Sequence, residues 1–336
     1  MSCSVSVARA IAVPGLLLLL ILATALSLAI GAKSLPASVV LEAITGTCQS
    51  ADCTIVLDAR LAAHAGLACW LAAHWGSPGR LMQTLTRNPL ADPGILGVNS
   101  RRQFRDRTRR GAVWFFLSTG TVADGVCRGA GRLADCRLYR QPRRRAVKPG
   151  SPHAGGVALG AVLEGLSNGI ALLNPDVYDQ LRFWQAGSLD IRSLQTLKVI
   201  VVPVLIAGAT ALFLSRALNS LSLGSDTATA LGSKVARTQL IGLLVITVLC
   251  GSATAVVGPI AFIGLMMPHM ARWLVGPDHR WSLPVTLLAT PTLLLFADII
   301  GRLIVPGELR VSVVSAFLGA PVLIFLVRRK QRGGAV

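Results

Sequence analysis

His269, in the run MPHMAR, is the most obvious candidate for a metal ligand in this sequence. A zinc-type site needs further His, Cys or carboxylate ligands at suitable spacing, and none lies near His269, whereas Arg272 follows three residues later. With Pro268 beside it, His269 fits a structural role at a helix end. The sequence therefore predicts no metal centre and no catalytic residue.

Nucleotide chemistry requires a phosphate-binding loop, Gly-x-x-x-x-Gly-Lys-[Ser/Thr]. That pattern does not occur in the 336 residues. We therefore expect a chain that is not an enzyme and that binds no cofactor of its own.

Two further features carry reactive groups. Glu164 lies within the apolar segment 155–174, where a carboxylate is by default a functional candidate; the alternative is a side chain that faces a polar neighbour. Cys48 and Cys53 lie close together in a polar loop, and a disulfide and two free thiols remain equal alternatives.

The composition indicates a membrane protein. Hydrophobic residues make up 53% of the chain and charged residues only 14%, against roughly a quarter in soluble domains. A helix needs about 20 apolar residues to cross the hydrocarbon core. Seven segments meet or approach this length, although the fifth is short: 9–31, 155–174, 195–214, 239–257, 259–275, 282–303 and 311–327.

One basic window departs from this pattern. Residues 101–150 hold fourteen basic and three acidic side chains, a net charge of +11 out of +18 for the chain, and six arginines fall within 101–110. Each arginine at a helix centre costs about 2.5–3.5 kcal/mol even on a mild insertion scale. The hypothesis that the chain binds nucleic acid or anionic lipid is supported by the charge of this window alone. We therefore rank it lowest and expect no nucleic-acid partner.

Loop charges predict the orientation. The basic tail RRKQR and the loop 215–238 favour the cytoplasm, and residues 175–193 favour the outside. Spans 9–31 and 155–174 must then both run outward, which requires an odd number of crossings between residues 61 and 154. That region supplies no convincing one.

Four stretches carry a family resemblance: LMQTLTRNPLADPGILGVN at 81–99, LNSLSLGSDTATALGSKVARTQLIG at 218–242, VGPIAFIGLMMPHMARWLVGPDHR at 257–280 and LLLFADIIGRLIVPGELRVSVVSAFLGAPVLIFLV at 293–327. They resemble the FecCD-like iron-chelate uptake permeases, a group that includes the vitamin B12 permease. The resemblance covers residues 1–61, 81–99 and about 155–336.

The resemblance implies an all-α, ten-span permease fold of a type II ABC importer, in one transmembrane domain over 1–336. It implies a multi-pass protein of the bacterial inner membrane with both termini cytoplasmic. The implied partners are a second homologous permease subunit, a cytoplasmic ATPase dimer that uses ATP and Mg, and a periplasmic siderophore-binding protein. The implied cargo is a ferric siderophore, with ferric enterobactin preferred.

The resemblance fails in two windows, 62–80 and 100–154, where the family has its second to fourth spans. Three crossings would satisfy the odd number required above. The residues found there are those that a GC-rich gene for apolar helices gives when it is read out of frame. We interpret both windows as frame-shifted, and we expect spans 2–4 to be compromised and 100–154 to be poorly packed.

The cytoplasmic loop 215–238 resembles the coupling loop that docks on the ATPase. The sequence predicts a short helix capped by Ser225 or Asp226 and ended by Gly232. An ordinary turn is the alternative that spacing alone favours. The residues to which the resemblance gives a coupling role are Gly224, Ser225, Asp226, Ala230, Leu231, Gly232 and Arg237.

Docking of the binding protein is implied at Arg60 and Arg302, which match arginines on the outer rim of the family; two snorkelling interfacial arginines are the alternative. Asn88 and Pro89 predict a bend between two spans, which is either structural or part of the pathway. Pro268 and His269 are candidates for the same two roles, and for His269 the structural role at a helix end is preferred. The functional alternatives are a permease for another iron chelate or cobalamin, and a non-functional product of a frame-shifted gene.

Overall fold

The computed structural model describes residues 2–30, 67–93, 194–304 and 309–333, residues 171–187 except 174, and single positions within 38–45, within 161–169 and at 189. The elements assigned there are α-helices, which confirms the predicted all-α class. Glu164, Cys48, Cys53, Arg60 and the window 100–154 lie outside the described residues.

The helices follow one another with short connections in the second half of the chain. Their bounds are α1 Ser2–Ala29, α2 Leu67–Thr86, α3 Pro175–Gln185, α4 Leu194–Phe213, α5 Ser215–Ser222, α6 Ser225–Ala230, α7 Val235–Val257, α8 Ile263–Val275, α9 His279–Ile304 and α10 Val311–Gly333.

Three described helices are long and apolar enough to cross a membrane: Arg9–Ala29 in α1, Val235–Thr254 in α7, and α9. A fourth crossing results if α4 and α5, which meet at a bend of 50°, count as one span. These helices match the predicted spans 9–31, 195–214, 239–257 and 282–303. The predicted span 259–275 forms a helix only from Ile263, and its 13 residues reach about 20 Å, short of a full crossing.

Within the window 62–80, the structure describes residues 67–80. Residues 67–86 form the 20-residue helix α2, and its described side chains from Ser77 to Thr84 are buried. A packed helix is therefore present in the described part of this window, and the expectation of a compromised second span stays a prediction. α2 is nevertheless not among the helices whose length and composition suit a crossing.

α9 lies at the centre of the described bundle. In its most apolar stretch, 67% of the residues are buried, against 17% for α1. α9 packs against α1, α2, α8 and α10, and α2 also packs against α7 and α8. α2 and α8 approach very closely, since a Cβ atom on Gly79 would overlap the carbonyl oxygen of Gly264.

The contacts at the helix ends define two faces of the bundle. On the first, which we call the α6 face, Arg9 near the start of α1 donates to the Val275 carbonyl at the end of α8 (3.0 Å). Phe325 near the end of α10 packs edge-on against Trp273 of α8, with ring centroids 6.0 Å apart. On the opposite face, the end of α9 meets the end of α1, and Ser312 of α10 donates to the carbonyl of Ala186 (2.6 Å).

Candidate functional site

α6 is a short exposed helix at the surface of the α6 face. Ala228 is its one buried residue, whereas Asp226, Thr227, Thr229 and Ala230 are exposed. Leu231 directly after it has 62% of its surface exposed, and Leu223 directly before it has 66%. The exposed surface of α6 is thus bordered by one exposed leucine at each end.

The predicted end of α6 is confirmed. The N–H of Ser233 donates to the carbonyl of Ala228, and that of Gly232 donates to Thr229, both at 2.9 Å. These two bonds form a Schellman motif, in which Gly232 takes the left-handed backbone (φ +79°) that glycine adopts without strain.

The predicted cap of α6 is wrong. The N-cap residue is Gly224, with φ +128° and no side-chain hydrogen bond, so neither Ser225 nor Asp226 caps the helix. The Ser225 hydroxyl instead lies 3.3 Å from the Asp226 carboxylate. The backbone at Gly224 is open to glycine but strained for other residues, and this accounts for the abrupt turn from α5 into α6.

A polar cluster lies directly beneath α5, where the chain passes from α8 into α9. The clustered side chains come from four elements, namely α2 (Arg80, Gln83, Thr84), α5 (Asn219), α8 (His269, Arg272) and the start of α9 (Asp278, His279, Ser282). Most of them are buried, so their hydrogen bonds are protected from water and hold the elements in fixed positions.

His279 is at the centre of this cluster and is 2% exposed. Its Nδ1 lies 2.7 Å from the Asn219 side-chain oxygen and its Nε2 lies 2.7 Å from the Thr84 hydroxyl. Because the amide oxygen only accepts, Nδ1 carries the proton. The imidazole therefore joins α9 to α5 on one side and to α2 on the other.

Asp278 caps α9 in the way that helix N-termini prefer. Its carboxylate accepts the backbone N–H of Arg280 at 3.0 Å and the side-chain amide of Asn219 at 2.6 Å. Partial burial works in the opposite direction, but these hydrogen bonds and the nearby charges of Arg280 and Arg9 prevail and lower the pKa of Asp278 below its ordinary value.

Two arginines complete the cluster. Arg80 is 3% exposed; it donates to the Pro277 carbonyl at 2.7 Å and to the Ser282 hydroxyl at 3.2 Å, and so fixes the connection between α8 and α9. Arg272 donates to the Gln83 side chain at 3.0 Å, which ties α8 to α2.

His269 has both ring nitrogens engaged within the protein. Nε2 lies 2.9 Å from the Pro89 carbonyl, which only accepts, and Nδ1 lies 2.8 Å from Arg272, which only donates. The ring is therefore neutral, with its proton on Nε2. Among the described residues no three His, Cys, Asp or Glu side chains are placed to hold a metal ion.

The bend at Asn88 and Pro89 is built locally. The Asn88 side-chain oxygen accepts the N–H of Leu90 at 3.0 Å, and the N–H of Ala91 donates to the Asn88 carbonyl at 3.1 Å. His269 holds this bend against α8 through Pro89. Pro268, inside α8, is buried, so the structure gives these residues a packing role.

Arg302 lies on the opposite face, at the end of α9. Its guanidinium pairs with Asp298 and donates to the carbonyls of Ile30 at 3.0 Å and Ser27 at 3.4 Å. The side chain is only 7% exposed. Arg302 therefore has internal partners that join α9 to α1.

Sequence reasoning missed Arg80, Thr84, Asn219 and Asp278 as a connected set. Arg80 lies in the window that departs from the family, and Asn219 lies in the loop considered for docking. Sixty residues separate Asn219 from His279, and about two hundred separate Arg80 from Ser282. The run GPDHR, which belongs to a stretch that carries the family resemblance, was the one local signal that could have pointed to this cluster.

Comparison with known proteins agrees with this architecture. Residues 18–329 match the FecCD transport family. The chain is 71% identical to the ferric enterobactin transport system permease protein FepD of Escherichia coli K12, with 100% of each chain covered. It is 33% identical to the probable siderophore transport system permease protein YfiZ of Bacillus subtilis 168, covering 86% of this chain and 87% of the relative.

A solved structure has the same fold. A metal-chelate type ABC transporter in an inward-facing conformation superposes with a TM-score of 0.75 at 28% identity, covering 95% of this chain and 99% of the other. The match therefore extends over nearly the whole of both chains. Together with the sequence matches, it leads to one conclusion: the chain belongs to the FecCD transport family.

Proposed function

We propose that this chain is a permease subunit of an ATP-driven importer that moves ferric enterobactin from the periplasm into the cytoplasm. The observation that carries the proposal is the 71% identity to a ferric enterobactin permease over the full length of both proteins. The family match and the ABC transporter fold support the same class of activity.

The energy source lies outside this chain. The sequence contains no phosphate-binding loop, so a separate ATPase dimer must hydrolyse ATP and Mg must be bound there. α6 is the element proposed to dock on it, with Ala230, Leu231 and Gly232 at the contact and Arg237 at its edge. Support comes from the exposure of these residues and from the basic charge of the loop 215–238.

The orientation follows from the same face. The start of α1, the α5–α6 unit and the end of α10 lie together, because Arg9 contacts the end of α8 and Phe325 packs on Trp273. If α6 meets a cytoplasmic ATPase, both termini are cytoplasmic as well. The opposite face, with Arg302, is then periplasmic and faces the siderophore-binding protein.

The proposed periplasmic docking residues have unequal support. Arg302 lies on the correct face, but its guanidinium is engaged with Asp298 and with α1, and this favours a role in holding the rim together. Arg60 lies outside the described residues and stays a prediction. A second, homologous permease subunit is proposed to complete the channel.

Reconstitution tests the cargo. The complete importer, built with this chain, is placed in liposomes and supplied with radiolabelled ferric enterobactin, ferric dicitrate or cobalamin. ATP-dependent uptake of the enterobactin chelate alone supports the proposal. Uptake of ferric dicitrate or cobalamin instead would show that the chain serves an importer for that cargo. Failure of the chain to assemble with its partners would support the alternative of a non-functional product.

A bulky substitution tests the docking role of α6. Ala230→Trp places a large ring on the exposed surface of the helix, so we expect stimulated ATP hydrolysis and uptake to fall together. Ala25→Trp, at an exposed position of α1 outside the loop 215–238, is the matched control. Unchanged hydrolysis and uptake in Ala230→Trp would count against docking at α6.

The windows 62–80 and 100–154 are proposed to derive from compensating frameshifts. The arginine run within 101–110 supports this, because such a run does not suit a crossing helix. Resequencing the gene checks it. A single intact frame that encodes this run would refute the proposal.

A further inference from the structure

We propose that Asn219 and Asp278 form a positioning pair that transmits displacement of α6 to the long central helix α9. This inference rests on the proposed function, in which α6 docks on an ATPase. It goes beyond that function by naming the contact that links the docking helix to the membrane bundle.

α6 reaches the bundle chiefly through α5. Leu223 and Gly224 alone separate the two helices, and the N–H of Ala228 in α6 donates to the Gly224 carbonyl at 2.9 Å. α6 packs against α5 and against the start of α7. A force applied to α6 therefore acts on α5 first.

α5 is attached to the bundle by two kinds of contact. Leu218 and Leu221 are buried among apolar side chains, and such contacts are non-directional and tolerate sliding. Asn219 instead makes directional bonds to the start of α9. Its amide oxygen accepts the His279 N–H at 2.9 Å and the ring Nδ1–H at 2.7 Å, while its amide nitrogen donates to Asp278 at 2.6 Å.

These bonds satisfy the start of α9 from outside the helix. The first N–H groups of any helix lack partners within it. Here the Asp278 carboxylate accepts the N–H of Arg280, and the side-chain oxygen of Asn219, in α5, accepts the N–H of His279. The first turn of α9 is consequently held by α5, so that the two helices cannot separate without losing three hydrogen bonds.

α9 is suited to carry the displacement across the bundle. Its 26 residues span about 39 Å, and it packs against α1, α2, α8 and α10. At its far end it is joined to α1 through Arg302. A shift imposed at Asp278 thus reaches the opposite face through one continuous, buried helix.

Exchange of the two side chains tests whether the interaction between Asn219 and Asp278 itself matters for coupling, or whether each residue only stabilises the structure. Asn219→Asp alone faces Asp278 with a second carboxylate and breaks the pair. Asn219→Asp combined with Asp278→Asn restores one amide opposite one carboxylate, with donor and acceptor reversed. Arg328→Gln, at an exposed position of α10 outside the loop 215–238, lowers the net charge by the same single unit and is the control.

The measurement is the ratio of ferric enterobactin transported to ATP hydrolysed, in proteoliposomes that hold the complete importer. For Asn219→Asp we expect assembly and hydrolysis to persist and the ratio to fall about tenfold, the effect of an interaction energy within the usual range for contacting residues. The exchanged double variant should recover to within about threefold of the unaltered protein, and Arg328→Gln should have the ratio of the unaltered protein.

Three outcomes would overturn the inference: an unchanged ratio in Asn219→Asp, a double variant no better than the single one, or an equal loss in Arg328→Gln. If Asn219→Asp does not assemble, Asn219→Ser takes its place, because it removes the amide without adding charge. The same fall in the ratio of transport to hydrolysis is expected for it. If the unaltered importer moves no ferric enterobactin, the proposed function fails, and this result is distinct because it precedes any substitution.

Discussion

The two ends of α9 are held in different ways. At the start, His279 and Asp278 are bound by side chains from α2 and α5 through hydrogen bonds in which no buried ion pair takes part. At the end, Arg302 and Asp298 form a buried ion pair, and Arg302 also donates to two carbonyls of α1.

This difference implies that the end of α9 contributes mainly to the stability of the fold, and its start mainly to coupling. Breaking one partner of a buried ion pair leaves an uncompensated charge, so the end of α9 is costly to disturb. Each hydrogen bond at the start contributes only about 0.5–1.5 kcal/mol net, and several can rearrange together. We therefore expect substitutions at the end of α9 to lower stability, and those at the start to change coupling at a smaller cost.

Arg302→Ala should produce the largest loss of stability. It removes the cation that pairs with the Asp298 carboxylate, whose side chain is 12% exposed, and breaking a buried ion pair in this way costs about 3–5 kcal/mol in the free energy of unfolding. Thermal unfolding in detergent measures it. Arg280→Ala, at an exposed position near the start of α9, is the control and should differ little from the unaltered protein. Equal effects of the two would remove the distinction between the ends.

Gly301→Ala should have the next largest effect. A Cβ atom there would overlap the carbonyl oxygen of Leu309, and overpacking of this kind costs about 1–3 kcal/mol. Gly15→Ala makes the same change in α1 with no atom within 4 Å, so it should be neutral or slightly stabilising. A Gly301→Ala protein as stable as Gly15→Ala would show that the end of α9 is loosely packed.

Thr84→Val sharpens the comparison at the start of α9. It removes the hydroxyl that lies 2.7 Å from His279 Nε2, and we expect a loss of about 1 kcal/mol in the free energy of unfolding. Thr210→Val, on an exposed part of α4, removes a hydroxyl that bonds only within its own helix. A loss at Thr84 as large as that for Arg302→Ala would contradict the proposed division between the two ends.

Acid should weaken the start of α9, with the smallest effect of the four. The lowered pKa of Asp278 means that its carboxylate stabilises the fold above the pKa of the unfolded chain, near 4, and that this contribution is lost as the pH falls through the folded value. The stability difference between the unaltered protein and Asp278→Asn should therefore shrink below about pH 4. A difference that grows on acidification would have the wrong sign.

The sequence predicted what depends on local signals. Long apolar runs located α1, α4, α7 and α9, and Gly232 located the end of α6 because a positive φ favours glycine there. The cap at Gly224 was missed, since Ser225 and Asp226 are by residue type the better capping residues.

Contacts between distant segments could not be predicted in the same way. The bond between Asn219 and His279 joins residues 60 apart, and no periodicity or propensity marks it. Arg302 was correctly placed at a helix end, but its burial depends on the position of α1, some 270 residues earlier. Arg80 lies in a window whose sequence departs from the family, yet it is nearly fully buried.

The most direct measurement is ATP-dependent uptake of radiolabelled ferric enterobactin by proteoliposomes that hold this chain with its second permease subunit, its ATPase and its binding protein. We expect uptake that requires ATP, that exceeds uptake of ferric dicitrate and cobalamin, and that stops when this chain is omitted. A fully assembled complex that hydrolyses ATP but accumulates no ferric enterobactin would contradict the proposed function.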